Sequence, residues 1–341
     1  MRWLWRHHVR DDAAQLAALT ALAAGLQVAA AVGLSYVAGF SVVENRLLAA
    51  EWPWLFAALG GVLLTYPAYY LSYRGTGRET EGETLDERTR LAVAAVGFGN
   101  FLARSGSEVD KLAAEAAGAS ERQAGVRVAF LDVVEHAVLA LPGWGAALGL
   151  LALGPEKPHL DFLVPWAVGP VVGMALAFWL AGRFHGRWRE RDDWRGSASI
   201  VVDAVYLLRR AAFRPHRHAQ ALGGMLAYWV LGMFSLWAGI RTFHFHMNFG
   251  SVVVAFGTAM IVTRRTGPLG GAGLLDLALP PTLWIAGAPL SAAVLGTFVY
   301  RFFSLWIPLP VAFGALPRVR ALLERSDEKR RGKDREPALQ P

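Results

Sequence analysis

Two groups of side chains could do chemistry in this sequence, and both sit inside apolar stretches. Asp132, Glu135 and His136 fall within five positions of a run made mostly of Val, Ala, Leu and Gly. Arg264 and Arg265 precede GPLGGAGLLD, which holds Gly270, Gly271, Gly273 and Asp276, and a charge-free run then leads to Tyr300 and Arg301. Asn100 and Arg104, in VGFGNFLARSG, form a smaller third group. Acids beside a histidine suggest metal ligation or an ion pair. With no partner cluster in the sequence, the expected role is a structural pair with Arg301, and no metal site is expected. A glycine-interrupted helix turns its free amides toward anions, and arginines attract phosphate. The plainer alternatives are a packing patch for the glycines and a charge anchor for Arg264 and Arg265. No βαβ unit surrounds the glycines, so a dinucleotide loop is set aside. His244 and His246 lie in a short loop and read as interfacial.

Such groups matter because of the chain that holds them. Of 341 residues, 54% are hydrophobic and 18% charged, and the apolar residues come in long runs, which is the pattern of an all-α polytopic membrane protein. The net charge of +7 belongs to loops between those runs, so a nucleic-acid partner is not expected. There is no cysteine, hence no disulfide and no thiolate metal site.

About eight transmembrane helices are expected, near 13–43, 52–73, 124–153, 162–182, 218–242, 248–263, 272–287 and 289–313. Trp52, Trp54, Tyr69, Tyr70 and Tyr73 suit interfacial anchors at the ends of the second. The segment 91–103 is apolar but too short to cross a core of about 30 Å. It contains Gly97, Gly99 and Asn100, and reads as re-entrant, with an interfacial helix as the alternative. The stretch 197–212 places Ile200, Ala204, Leu207, Leu208 and Ala211 on one face, as a helix on the membrane surface would. Residues 317–341 read as a disordered basic cytosolic tail, leaving 1–316 as a single transmembrane domain.

Basic residues orient the chain. With both termini in the cytosol, thirty fall on the cytosolic side and three, Arg46, Lys157 and Arg241, on the other. That asymmetry points to a multi-pass protein of the cell membrane.

The two glycine-interrupted regions also echo each other. Val96 to Gly99 (VGFG) recurs as Val254 to Gly257 (VAFG), and Ala117 to Ser120 (AGAS) recurs as Ala286 to Pro289 (AGAP). Each second element precedes a long apolar run carrying an ion, Asp132 in one and Arg301 in the other. Two such halves of opposite orientation make an inverted repeat, whose broken segments meet near the midplane around a substrate site. A strict inversion brings the second broken segment in from outside and sets Arg264 and Arg265 deep.

The stretch GPLGGAGLLDLALP followed by LWIAGAPLSAAVLGTFVYRFFSLWIPLP resembles the C-terminal signature of the lysylphosphatidylglycerol synthase transmembrane-region family, the flippase-like membrane part of the multiple peptide resistance factor. Gly270, Gly271 and Gly273 match the family's glycines, Asp276 stands where it carries a glutamate, and Tyr300, Arg301, Trp306 and Pro308 match the later part. Leu269 departs from its proline. GFGNFLARSGSEVDKLAAEAAGAS resembles the family's earlier element more loosely, and the resemblance runs from about Leu91 to Ala315. It implies a lipid flippase-like membrane domain. The full-length resistance factor adds a soluble aminoacyl-transferase domain, for which the tail of this chain offers no room.

The expected function is therefore that of a non-enzymatic protein that binds and flips a lipid or lipid-linked headgroup. The partners would be membrane lipids, either an anionic or modified phospholipid or a lipid-linked saccharide, with a homo-oligomer as a possible assembly and no cofactor. Two alternatives are a membrane-embedded lipid-linked sugar or phosphate transferase and an accessory subunit of one.

Overall fold

The structure, a computed structural model, describes residues 13–79, 85–98, 106–154, 159–187, 194–263 and 272–335. It is helical throughout, with no strand among the described residues. The helices are α1 (Ala13–Ala38), α2 (Phe40–Leu48), α3 (Trp52–Glu79), α4 (Glu87–Phe98), α5 (Gly106–Ala116), α6 (Glu121–Leu153), α7 (Leu160–Phe184), α8 (Trp194–Phe213), α9 (Ala219–Arg241), α10 (Phe249–Thr263), α11 (Leu274–Ile285), α12 (Leu290–Trp306) and α13 (Pro308–Arg335).

Six helices are long and apolar enough to cross a membrane: Ala17–Ala38, Trp52–Arg78, Glu121–Leu153, Leu160–Phe184, Ala219–Arg241 and Leu290–Leu322. Their outward residues are large and apolar, as in Val168, Val172, Leu176 and Trp179 of α7, which suits a lipid-facing wall. The expected sixth and seventh spans are instead α10 and α11, of 15 and 12 residues. At 1.5 Å per residue they reach roughly 22 and 18 Å, less than a hydrocarbon core. Gly273 at its start and the turn at Gly287 past its end account for the shortness of α11, while Pro280 and Pro281 lie inside it. The first span also ends earlier than the sequence suggests, because Gly39 adopts φ +87° and turns the chain into α2. The tail, expected to be disordered, continues as helix α13 to Arg335.

The centre of the molecule is the antiparallel pair α3 and α9. Gly61 lies against the Ser235 side chain and the Leu231 carbonyl, where an added Cβ would sit 3.1 and 3.2 Å away. Gly224 lies against Ser72 and the Ala68 carbonyl, at 2.6 and 2.7 Å. Ser72 Oγ donates to the Ala221 carbonyl at 2.8 Å, and Ser235 Oγ donates to the Ala58 carbonyl at 2.7 Å. Small residues permit this approach, and buried hydroxyls bond across it.

These contacts obey a two-fold rule. Adding 163 to Ala58, Gly61, Ala68 and Ser72 gives Ala221, Gly224, Leu231 and Ser235, so each contact of one helix is returned by the other. The sequence carries the same relation as ALGG at 58–61 and again at 221–224, a match that the expected repeat did not include. The expected AGAS and AGAP pair forms one turn twice. Amide-to-carbonyl bonds run from 117 to 113, 118 to 115 and 119 to 114, and again from 286 to 282, 287 to 284 and 288 to 283. Gly118 and Gly287 have φ +106° and +104°, which is the helix-ending motif that demands glycine. From each turn starts a helical run of 33 residues, Glu121–Leu153 and Leu290–Leu322, the second passing from α12 into α13 through Ile307, which keeps helical dihedrals.

The packing follows suit, with α10 on α6 and α4 on α13, α6 on α9 and α12 on α3. Gly250 at the start of α10 meets Leu150 near the end of α6, and Gly296 near the start of α12 meets Ile240 at the end of α9. The second half of the chain therefore runs inverted with respect to the first.

Candidate functional site

The best-built polar feature lies where α11 and α12 meet. Asp276, in the first turn of α11, is wholly buried, and its Oδ2 accepts the Gly273 amide at 2.9 Å. Gly273 has φ +79°, so the turn that aims this amide needs glycine. The other oxygen, Oδ1, stands 3.2 Å from Arg301 Nε, and the Arg301 side chain is only 6% exposed. Sequence reading offers Asp132 or Glu135 for that role, but the carboxylate that meets Arg301 comes from its own half of the chain. Arg301 lies eleven residues into α12, roughly 16 Å along its axis. A buried charge this far along an apolar helix persists only when paired and hydrogen-bonded.

An aromatic path leads away from the pair. Tyr300 meets Phe256 of α10 at 5.5 Å between centroids, and Phe256 meets Trp229 of α9 at 5.9 Å. Trp229 Nε1 donates to the Glu135 carbonyl at 2.8 Å. Tyr228 meets Trp229 at 4.9 Å and Tyr69 at 5.5 Å, Tyr69 stacks on Tyr73, and the Arg127 guanidinium lies 5.1 Å from the Tyr73 ring centre. Edge-on and stacked rings at these separations attract one another, so α3, α6, α9, α10 and α12 are fastened by one run of rings. Tyr69 and Tyr73 thus line the interior, whereas Trp52 is exposed as an anchor would be.

The expected site residues fall into two places and a remainder. Gly273, Asp276, Tyr300 and Arg301 form the cluster just described. Glu135 joins it through its backbone and is buried itself. Asp132 and His136 lie on a more open face of α6, 40% and 29% exposed, with His136 Nδ1 2.7 Å from the Asp132 carbonyl and 3.5 Å from its carboxylate. Asn100, Arg104, Arg264, Arg265, Gly270 and Gly271 lie outside the described residues. Among the described residues no group of three His, Asp or Glu could hold a metal ion. No protein-family model matches the chain, and no curated protein matches it in sequence.

Sequence reasoning missed Trp229, Phe256 and Gln27. Trp306 Nε1 donates to Gln27 Oε1 at 2.6 Å, tying α1 to α12. Gln27 lies well inside the apolar run 13–43, whose other amide, Gln15, stands near its start, and that was its available signal. Trp229 and Phe256 gave none, since an aromatic residue in a span reads as packing. The surface helix expected over 197–212 is α8, but its apolar face is turned to protein. Ala204, Leu208 and Ala211 are buried, and α8 packs on α6 and α7. Asp203 in that face is buried between Arg122 at 2.7 Å and His185 at 3.0 Å, and His185 stacks on Tyr206. Facing protein, such a helix can carry polar residues that lipid would not tolerate.

Proposed function

We propose that this chain is a multi-pass protein of the cell membrane that moves a lipid headgroup between leaflets, of the kind its resemblance to the lysylphosphatidylglycerol synthase transmembrane region implies. The topology is six full spans with both termini in the cytosol. Two re-entrant hairpins complete it, α4 and α5 from the cytosolic side, α10 and α11 from the outside. Six spans keep the sidedness that eight would give.

The observation that carries the reading is the Asp276–Arg301 pair held at the broken start of α11. A helix bounded by glycine turns, with an ion pair deep in the apolar layer, has no use in a protein that only spans. A headgroup crossing beside such a site exchanges water for fixed charges and amides while its acyl chains stay in lipid.

Reconstitution in vesicles with a labelled phospholipid tests this. Wild type is expected to bring inner-leaflet label to an outer-leaflet quencher faster than protein-free vesicles. An Asp276→Leu/Arg301→Met double variant, which keeps the volume apolar, is expected to fall to the protein-free rate. Equal rates for wild type and protein-free vesicles, or for wild type and the double variant, would refute the proposal.

A further inference from the structure

The lipid-facing wall of α7 ends in charge. Val168, Val172, Leu176 and Trp179 follow one another at helical spacing and are all exposed, and exposed Arg183 continues the same stripe. A tryptophan with an arginine one turn beyond it is the pattern of a helix leaving hydrocarbon for the headgroups. Helix α8 lies across the ends of α6 and α7 at this level. Ser199 and Asp203 meet Arg122 in the first turn of α6, and Ile200 lies against Gly125. At the end of α7, His185 meets Asp203, and Gly182 lies against the Arg209 guanidinium. The last turn of α8 and the turn 214–218 that follows it are thereby brought beside Arg183.

That corner is basic and open. Arg210, Arg214, His216 and Arg217 are exposed, and among the described residues no acid pairs with Arg183, Arg210, Arg214 or Arg217. The sequence offers no acid at all from Ala204 to Leu275. By contrast, Arg74 and Arg90 face Glu87, Lys111 meets Glu121, and Arg122 holds Asp203. Amid the unpaired arginines stands Phe213, 73% exposed, with the Arg209 guanidinium 6.0 Å from its ring centre. The corresponding stretch of the inverted half, ahead of α3, is built otherwise. There Arg46 of α2 donates to the Phe243 carbonyl at 3.0 Å, and Glu51 in the following turn meets His244 at 2.7 Å. The fold therefore does not itself require unpaired arginines before a central helix.

We infer that Arg183, Arg210, Phe213, Arg214 and Arg217 form a second lipid site, which holds the anionic headgroup of an inner-leaflet phospholipid. The guanidiniums offer paired donors to phosphodiester oxygens, while Phe213 enters the boundary between headgroups and acyl chains. The cytosolic leaflet carries the anionic lipid, and a basic cluster of this size beside a span attracts it. The occupant is a lipid and not a soluble anion, because Phe213 and the α7 wall present apolar surface beside the charges. The site rests on the sidedness proposed above and is independent of transport.

The purified chain in a neutral detergent tests it, with melting temperature as the readout. Added phosphatidylserine is expected to raise that temperature by about 3 °C or more beyond phosphatidylcholine of the same chains, and high salt to remove the difference. Arg210→Gln/Arg214→Gln changes two exposed, unpaired side chains. It is expected to melt as wild type without lipid and to lose at least half of the increment. Arg88→Gln/Arg318→Gln takes the same charge from exposed positions elsewhere on that side, and is expected to keep the increment. No increment in wild type, an increment that the first variant retains, or one that both variants lose equally would overturn the inference. So would inorganic phosphate stabilising wild type as much as the anionic lipid does at equal concentration. Nothing in this measurement requires lipid to move, so a failed transport assay leaves the site standing, and its own failure leaves the transport reading untouched.

Discussion

Asp276 satisfies two donors, one from backbone and one from Arg301, and both bonds are buried. Removing one member of a buried pair leaves the other charge in apolar surroundings at a cost of about 3–5 kcal/mol, whereas removing both is often neutral or stabilising. Asp276→Asn and Arg301→Met are each expected to lower thermal stability strongly, and Asp276→Leu/Arg301→Met to restore it, read as melting temperature in detergent. If the double variant melts as low as the singles, the pair is not the unit described. Trp229→Phe keeps the ring and loses the bond to the Glu135 carbonyl, and about 1 kcal/mol of stability should go with it. The candidate residues themselves were legible from the sequence, since glycine, acid and arginine stand out among Val, Leu and Ala. Their pairing was not. Asp276 and Asp132 both offer a carboxylate to Arg301, and only the turn at Gly273 decides between them.

At the scale of elements, the α3 and α9 pair makes the sharpest forecast, because its contacts come in two-fold partners. Ser72→Ala and Ser235→Ala should destabilise equally, each by about 0.5–1.5 kcal/mol. Gly61→Leu and Gly224→Leu should both unfold the chain by forcing the helices apart. Unequal losses within either pair, in chemical denaturation of the detergent-solubilised protein, would contradict the symmetry. The first hairpin is fastened by Glu87 at the start of α4, which accepts from Tyr70 at 2.7 Å and pairs with Arg90 and Arg74. The Tyr70 hydroxyl, desolvation opposing it, and then the arginines leave the Glu87 carboxyl below its usual range. A depressed carboxylate contributes stability above its unfolded value and loses it as pH falls through the folded one. Attachment of α4 should thus weaken in acid, and Glu87→Gln should abolish that dependence, read by hydrogen exchange in α4. Helix identity was plain in the sequence for the six long apolar helices. The two short helices read as spans because a 15-residue apolar segment and a 20-residue one have the same composition, and for α11 only the glycine turns at Gly273 and Gly287 mark the difference.

At the scale of the whole molecule, the two-fold relation explains why the AGAS and AGAP turns each open a long helix and why Asp132 and Arg301 fall at equivalent positions in those helices. Half of that relation was legible: the AGAS and AGAP turns declared it, while ALGG at 58–61 and 221–224 was hidden among many similar small-residue strings. Antiparallel packing of α3 on α9 turns the second match from coincidence into symmetry. The two halves must move against each other if a headgroup passes between them, and a covalent tie shows whether they do. Leu150 and Gly250 join α6 to α10, with the Leu150 Cγ 3.4 Å from where a Gly250 Cβ would stand, within reach of a disulfide. In a Leu150→Cys/Gly250→Cys chain reconstituted in vesicles, lipid translocation should stop at the protein-free rate when the pair is oxidised and recover on reduction. An oxidised, crosslinked protein that moves lipid as fast as its reduced form would contradict the account.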